Sequence, residues 1–402
     1  MRQYGKWLLL AIVISLVAFV LVKGWSLMNG DEYAQYRKSF KKHEYLISQY
    51  ELSEDRYRNM ILLIASWKTY EEMKDKNKEH EYVDAIMQTV HALCADLKHS
   101  NLSDVEKALI AHDRLILHTK YDEEVVCVDP VTGKHSLSGT TSKQNSYNPY
   151  GPLVERIGVC QGYAIAYNLM LNYLDIDSEY IGSVKANHAW NIVSIDGKRY
   201  IVDTTHDDPL PDRIGRAYHT NFLVSSVDYF MSDETHRHGD LDLELDDTRF
   251  DEAFWKKIDS PFVYDGTHIY YLDNEAGSIN RYENGVGTPL LELNDVWMTG
   301  PGISLAGSSY SLSADGTRLY YSDSKHVYAF DPLTLESKPI WKPTLDSSQY
   351  ENISDFLAKD GYFEVSIMRV GADQEPKYRT LRTKNPDLEG SEASEDSEDS
   401  AL

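Results

Sequence analysis

Apolar positions change their spacing from one stretch of the chain to the next, and each change predicts a different kind of element. From Trp7 to Val22 they are almost unbroken, with Arg2 and Lys6 ahead of them and Lys23 behind. Such a run behind two cations predicts a signal anchor over residues 1–30, with a cytoplasmic N-terminus and the rest of the chain carried across the membrane. Retention is expected rather than cleavage. Val22, Lys23, Gly24 and Trp25 are not the small residues a signal peptidase needs, and no Cys follows for lipoprotein processing. Cleavage would instead give a secreted protein.

Residues 31–100 carry few Gly or Pro and read as a membrane-proximal helical region, with helices over 32–50, 54–74 and 82–97. Met60, Leu63, Ile64 and Trp67 recur at helical spacing and predict one buried stripe. Ser103 with Glu106 three residues on is a capping box, and it opens a helix over 104–119 with Val105, Leu109, His112, Leu115 and Ile116 along one side. A loop over 123–152 follows, long enough to suggest a functional role. The next helix, 161–174, has almost no polar face and should be buried on most sides. Strands follow over 178–184, 188–195 and 199–203, the last two joined by Asp196-Gly197, a strong hairpin signal. Residues 101–248 form the expected central domain.

Beyond Phe250 the pattern becomes aromatic and β-like. Asp265-Gly266-Thr267-His268-Ile269-Tyr270-Tyr271-Leu272-Asp273 recurs as Asp315-Gly316-Thr317-Arg318-Leu319-Tyr320-Tyr321-Ser322-Asp323, and a weaker copy starts at Asp360-Gly361-Tyr362-Phe363. A period of about fifty residues is propeller-blade spacing, but three copies are too few to close a propeller. An all-β repeat region over 250–383, a meander or small sandwich, is predicted, with a partial array of blades as the alternative. The paired tyrosines are expected to fill its core rather than to line a ligand groove.

Composition narrows the function. The 402 residues carry a formal net charge of -24, which disfavours a nucleic-acid partner. Part of that charge lies in residues 384–402, where acidic residues alternate with Ser, Gly and Ala, as in a solvated disordered tail. The hydrophobic content of 42% is enough for packed cores elsewhere. Cys94, Cys127 and Cys160 make an odd count, which in an exported protein leaves at least one thiol outside intramolecular pairing. If Cys94 and Cys127 pair, Cys160 is the one left over.

Cys160 stands where a loop, Gly158-Val159, enters the buried helix. A helix N-terminus favours a thiolate and offers free amides to a developing oxyanion. A Cys there is also commonly just a small apolar residue. His188 and Asp203 shift the balance. With a two-residue turn at Asp196-Gly197, Ile195 faces Lys198, Trp190 falls opposite Asp203 and His188 opposite Thr205. His188 and Asp203 then share one face as diagonal neighbours, close enough for imidazole and carboxylate to meet. A slip of one residue would separate them.

Tyr150-Gly151-Pro152-Leu153, Gly158 to Ala164, Asn187-His188-Ala189-Trp190-Asn191 and Tyr200 to Thr205 occur in this order at these spacings. The region from Ser103 to His238 resembles the transglutaminase-like superfamily, in its bacterial extracytoplasmic branch. The resemblance implies an α+β, papain-like core in which a Cys-bearing helix packs on an antiparallel sheet. It also implies that Cys160, His188 and Asp203 are nucleophile, base and orienting carboxylate. An aromatic residue upstream of the cysteine would complete the oxyanion hole, here Tyr147 or Tyr150. Gln161 belongs to the matching motif with a structural role, and Asn187 and Trp190 would pack around the imidazole. His206, Asp207 and Asp208 are expected as loop residues near the site. His236 and His238 have metal-compatible spacing without a partner cluster, so no metal and no cofactor is expected.

The implied protein is a membrane-anchored, extracytoplasmic, thiol-dependent amide acyl-transfer enzyme. It would be a cysteine peptidase or amidase, or a protein-glutamine transamidase, with protein or peptide substrates at the cell surface. The alternative is a non-catalytic surface-binding or assembly protein with a vestigial fold, although a relaxed site has no reason to keep all three residue types.

Overall fold

The chain divides into two units, Met1–Asp208 with Thr220–Lys256, and Pro209–His219 with Lys257–Leu402. In this computed structural model the described residues are 37–66, 76–128, 135–136, 141–183, 186–225, 245–283, 285–300, 303–306, 310–370 and 376–388. The expected anchor, His236, His238 and residues 389–402 of the expected tail lie outside them, whereas residues 384–388 of that tail belong to the fold, with Lys384 closing a strand and Asn385 buried. Among the described residues no helix is long and apolar enough to cross a membrane.

The first unit begins with short helices α1 (Arg37–His43) and α2 (Tyr45–Gln49), which replace one expected helix and meet at Glu44. Helices α3 (Glu54–Ser66) and α4 (Lys76–Lys98) follow. The buried stripe of α3 runs through Tyr57, Met60, Ile61 and Ile64, at helical spacing, while Leu63 is only half-buried and Trp67 lies outside the described residues. In α4 the buried residues include Tyr82, Val83, Ile86, Met87, Val90, Cys94 and Leu97. Cys94 is a free thiol.

Helix α5 (Asp104–His118) starts with the expected capping box. Ser103 Oγ accepts from the Glu106 amide, and the Glu106 carboxylate accepts from Ser103 N–H at 2.8 Å. Strand β1 (Lys120–Tyr121) precedes the expected long loop, which is subdivided by the pair β2 (Cys127–Val128) and β3 (His135–Ser136) and runs into a single π turn over Gly151–Glu155. Strand β4 (Ile157–Gly158) follows and runs parallel to β1.

Helix α6 (Cys160–Tyr173) starts one residue earlier than its periodicity suggests, and every residue from Gly162 to Tyr173 is buried. It lies against an antiparallel sheet in the order β5 (Ser178–Ser183), β6 (His188–Ile195), β7 (Lys198–Val202) and β8 (Phe222–Val224). Side chains alternate along β6. Asn191 reaches α6 through its side-chain amide, while Trp190 and Ile192 pack with Ile181, Ile201, Val224 and Leu245. The β6–β7 turn is formed by Asp196 and Gly197, both at positive φ, and pairs Ile195 with Lys198 as the sequence requires. This is the α+β arrangement expected of the Cys-bearing helix and its sheet.

The second unit is a series of antiparallel meanders. The first is β9 (Val263–Tyr264), β10 (Ile269–Asp273), β11 (Ser278–Glu283) and β12 (Val286–Glu292), and a two-stranded pair follows, β13 (Val296–Gly300) with β14 (Ile303–Ala306). The next is β15 (Ser311–Asp315), β16 (Arg318–Ser322), β17 (Val327–Asp331) and β18 (Glu336–Trp341). The last is β19 (Asn352–Lys359), β20 (Tyr362–Val370) and β21 (Pro376–Lys384).

Each recurring Asp-Gly lies between the first two strands of a meander. The paired tyrosines are buried, with Tyr270 and Tyr321 in one apolar cluster and Tyr320 in another. Segment 209–219 is held in this unit by Arg216 Nε and Arg213 Nη2, which donate to the same buried carboxylate oxygen, Asp355 Oδ1, at 2.9 and 2.8 Å.

Candidate active site

Cys160 is the first residue of α6, and Val159 ahead of it is extended and makes no side-chain cap. The first amides of the helix therefore have no capping side chain to satisfy them. The thiol is partly exposed. The approach to it is built by segment 144–148, which packs directly on the start of α6. Val159 N–H donates to Ser146 O at 2.9 Å, and a Cβ on Gly162 would stand 2.4 Å from that same oxygen. Only glycine fits there.

His188 opens β6 and is buried. Its Nε2 lies 2.7 Å from Asp203 Oδ2, and the imidazole also hydrogen-bonds with Cys160. Burial lowers the His188 pKa, but the charges of Asp203 and Cys160 and the hydrogen bonds to both outweigh it and push the imidazole up to about 10. Trp190, on the same face, stacks against the ring at 5.8 Å between centroids. Asn187 is exposed and occupies the preceding turn at positive φ.

Asp203 lies one residue past β7, fully buried, with its N–H on Asn221 O. Burial disfavours its charge, yet His188 and His206 hold the carboxyl well below its ordinary value. Oδ1 accepts from the amides of Thr205 and His206, both at 3.2 Å. Oδ2 accepts from His188 and also from His206 Nδ1, at 2.7 Å. His206 is thus more than a neighbouring loop residue: its ring lies 4.4 Å from that of His188, and its side chain is 33% exposed. Among the described residues His188, Asp203 and His206 form a group whose ligand atoms lie close enough to hold a metal ion.

Three tyrosines feel the charge of the thiol, Tyr121, Tyr147 and Tyr180. Tyr147 is raised above its ordinary pKa by burial and by Cys160, while its carbonyl accepts from Gln161 Nε2 at 2.7 Å. Gln161 thereby fastens the Tyr147 segment to the helix. Tyr150, the other expected oxyanion donor, stacks face to face on Tyr82 at 4.8 Å. Two further tyrosines, Tyr121 and Tyr180, are buried and also raised by burial and by Cys160. The sequence reading missed both, because nothing local marks them.

The surroundings are held by buried charge. Asp122 accepts from Ser146 Oγ and Thr141 Oγ1 at 2.6 Å and from Lys143 Nζ at 2.9 Å, which lowers its pKa against burial and braces the segment that carries Tyr147. His112 of α5 lies between Asp113 Oδ1 at 2.8 Å and Asp207 Oδ2 at 3.2 Å. Burial opposes its charge, but the two carboxylates push it up to about 9. Asp207 also accepts from Asn221 N–H, and Tyr163 OH donates to Asp208 Oδ2 at 2.5 Å. The turn after Asp203 is therefore gripped by both α5 and α6.

Residues 49–212 match a family model described as a transglutaminase-like domain. The match takes in α3 and α4 as well as the motif-bearing segment. Among solved structures the chain is similar to a TGase at 17% identity and TM-score 0.25, covering 33% of each chain. It is also similar to a candidate cysteine protease from Cytophaga hutchinsonii at 23% identity and TM-score 0.22, covering 32% of this chain and 39% of that one. The aligned part thus spans well under half the length of either structure. No curated protein matches the sequence.

Proposed function

We propose that this protein is a thiol-dependent acyl-transfer enzyme acting on amides, with Cys160 as nucleophile, His188 as proton carrier and Asp203 as the carboxylate that orients it. The observation that carries the reading is the position of His188, hydrogen-bonded to Cys160 on one side and to the buried Asp203 on the other. Its chemistry follows from that order. The thiolate attacks the amide carbonyl, and the Cys160 N–H with the Tyr147 hydroxyl receives the oxyanion. Imidazolium delivers its proton to the departing amine, leaving a thioester on Cys160. Water then resolves the thioester as hydrolysis, or a second amine resolves it as transamidation. In either case His188 accepts the proton of the incoming group. In the same reading residues 1–30 anchor the chain, and the site meets protein or peptide substrates outside the membrane.

The test is alkylation of Cys160 by iodoacetamide in the native protein and in His188→Ala, together with turnover of a glutamine-containing peptide with and without an amine donor. Rapid alkylation that His188→Ala slows, and turnover that Cys160→Ala abolishes, support the reading. Equal alkylation in both proteins contradicts it. Isopeptide product with the amine donor identifies transamidation, and release of ammonia or a cleaved peptide alone identifies hydrolysis.

A further inference from the structure

One oxygen of Asp203 is shared by two imidazoles. Oδ2 lies 2.7 Å from His188 Nε2 and 2.7 Å from His206 Nδ1, and the three ligand atoms lie within 4.8 Å of one another. Orienting His188 needs only the first of these contacts. The second aims another nitrogen at the same point, which makes a two-imidazole, one-carboxylate donor set. We propose that His188, Asp203 and His206 form an inhibitory site for a divalent cation of the zinc class, whose occupancy shuts off acyl transfer. The inhibitory part of this inference rests on the function proposed above.

The geometry needs little change to accept the ion. Metal–nitrogen and metal–oxygen bonds of about 2.0 to 2.2 Å at tetrahedral angles place donor atoms about 3.3 Å apart, so each 2.7 Å contact opens by about 0.6 Å. Outer support for the carboxylate is already present, because Oδ1 is held by the amides of Thr205 and His206. His188 and Asp203 are buried, whereas the His206 side chain is 33% exposed and supplies the side of entry. The fourth position falls to water. A chain of net charge -24 also concentrates cations around itself.

Binding exchanges protons for the ion. The protons on His188 Nε2 and His206 Nδ1 leave or move to the opposite ring nitrogens, and the freed lone pairs bind the cation. Asp203 Oδ2 then serves the metal and no longer orients His188. With Nε2 on the metal, His188 has lost the freedom to cycle between imidazole and imidazolium that turnover needs. Cys160 takes no part in the ligand set.

The experiment titrates Co2+ into the reduced full chain and into Cys160→Ala, His206→Ala and the double variant His236→Ala/His238→Ala, with folding of each checked by thermal melting. Expected are one Co2+ per chain with an oxygen and nitrogen ligand-field spectrum, the same spectrum in Cys160→Ala and in the double variant, and affinity weaker by about 10- to 100-fold in His206→Ala. Zn2+ should displace Co2+, slow alkylation of Cys160 by about tenfold or more, and be reversed by a chelator. A thiolate-to-cobalt charge-transfer band that vanishes in Cys160→Ala overturns the proposal. Binding lost in the double variant, or untouched in a folded His206→Ala, also overturns it. Should His206→Ala fail to fold, the charge-transfer band and the double variant still decide. The functional reading is judged separately, by alkylation of the metal-free protein with and without His188.

Discussion

Asn191 donates its side-chain amide to the Ala164 carbonyl at 2.8 Å, and this bond pins the strand that begins with His188 to the helix that begins with Cys160. Both residues are buried. The spacing of nucleophile and base therefore depends on a polar contact that touches neither of them. Asn191→Ala should destabilise the fold by about 1 to 3 kcal/mol, measured by urea unfolding, and slow alkylation of Cys160. A variant as reactive as the native protein would show that the pin has no part in placing the thiol.

Tyr147 and Tyr150 should separate cleanly. Tyr147→Phe is expected to lower kcat for the amide substrate by about 100-fold while leaving the alkylation rate of Cys160 near native, since alkylation forms no oxyanion. Tyr150→Phe keeps the ring stacked on Tyr82 and should leave kcat within about twofold. Steady-state kinetics on the two variants checks both expectations.

The thiols should differ in reactivity. Burial pushes Cys94 up to about 12, and the residue is sealed inside α4, whereas Cys160 is partly exposed. Native-state labelling followed by peptide mapping should find Cys160 modified and Cys94 untouched until the protein is unfolded. Early modification of Cys94 would contradict the packing of that helix.

His112 predicts a pH dependence of stability. Its pKa rises from 6.5 to about 9 on folding, so its contribution is fully present below about 6.5 and is lost as pH climbs through about 9. His112→Ala leaves Asp113 and Asp207 buried without their cation and should cost about 3 to 5 kcal/mol near neutral pH. Urea unfolding across the pH range should show the gap from the native protein narrowing steadily between about 6.5 and 9.

The His188–Asp203 relationship was legible because a two-residue Asp-Gly turn fixes hairpin register, and register fixes which side chains share a face. The start of α5 was equally plain from Ser103 and Glu106. His206 was not. It reaches Asp203 because the carboxylate accepts amides two and three residues ahead, folding the chain back as soon as it leaves β7. An Asp followed three residues later by His at a strand end was the available signal. Tyr121 and Tyr180 carried none, since their place beside Cys160 comes from the parallel β1–β4 pair and from the packing of β5. The assignment of residues 209–219 to the second unit is also a product of tertiary contacts, those of Arg213 and Arg216 with Asp355.

That assignment has a practical consequence for dissecting the molecule. Arg213 and Arg216 meet Asp355, a residue well over a hundred positions further along the chain. A chain truncated after Lys256 keeps both guanidinium groups and loses their carboxylate, leaving cationic side chains with no counterion on a segment that starts one residue beyond Asp208. The half that carries Cys160 cannot be excised with one cut. A clean fragment would need the 209–219 excursion replaced by a short polar linker between Asp208 and Thr220.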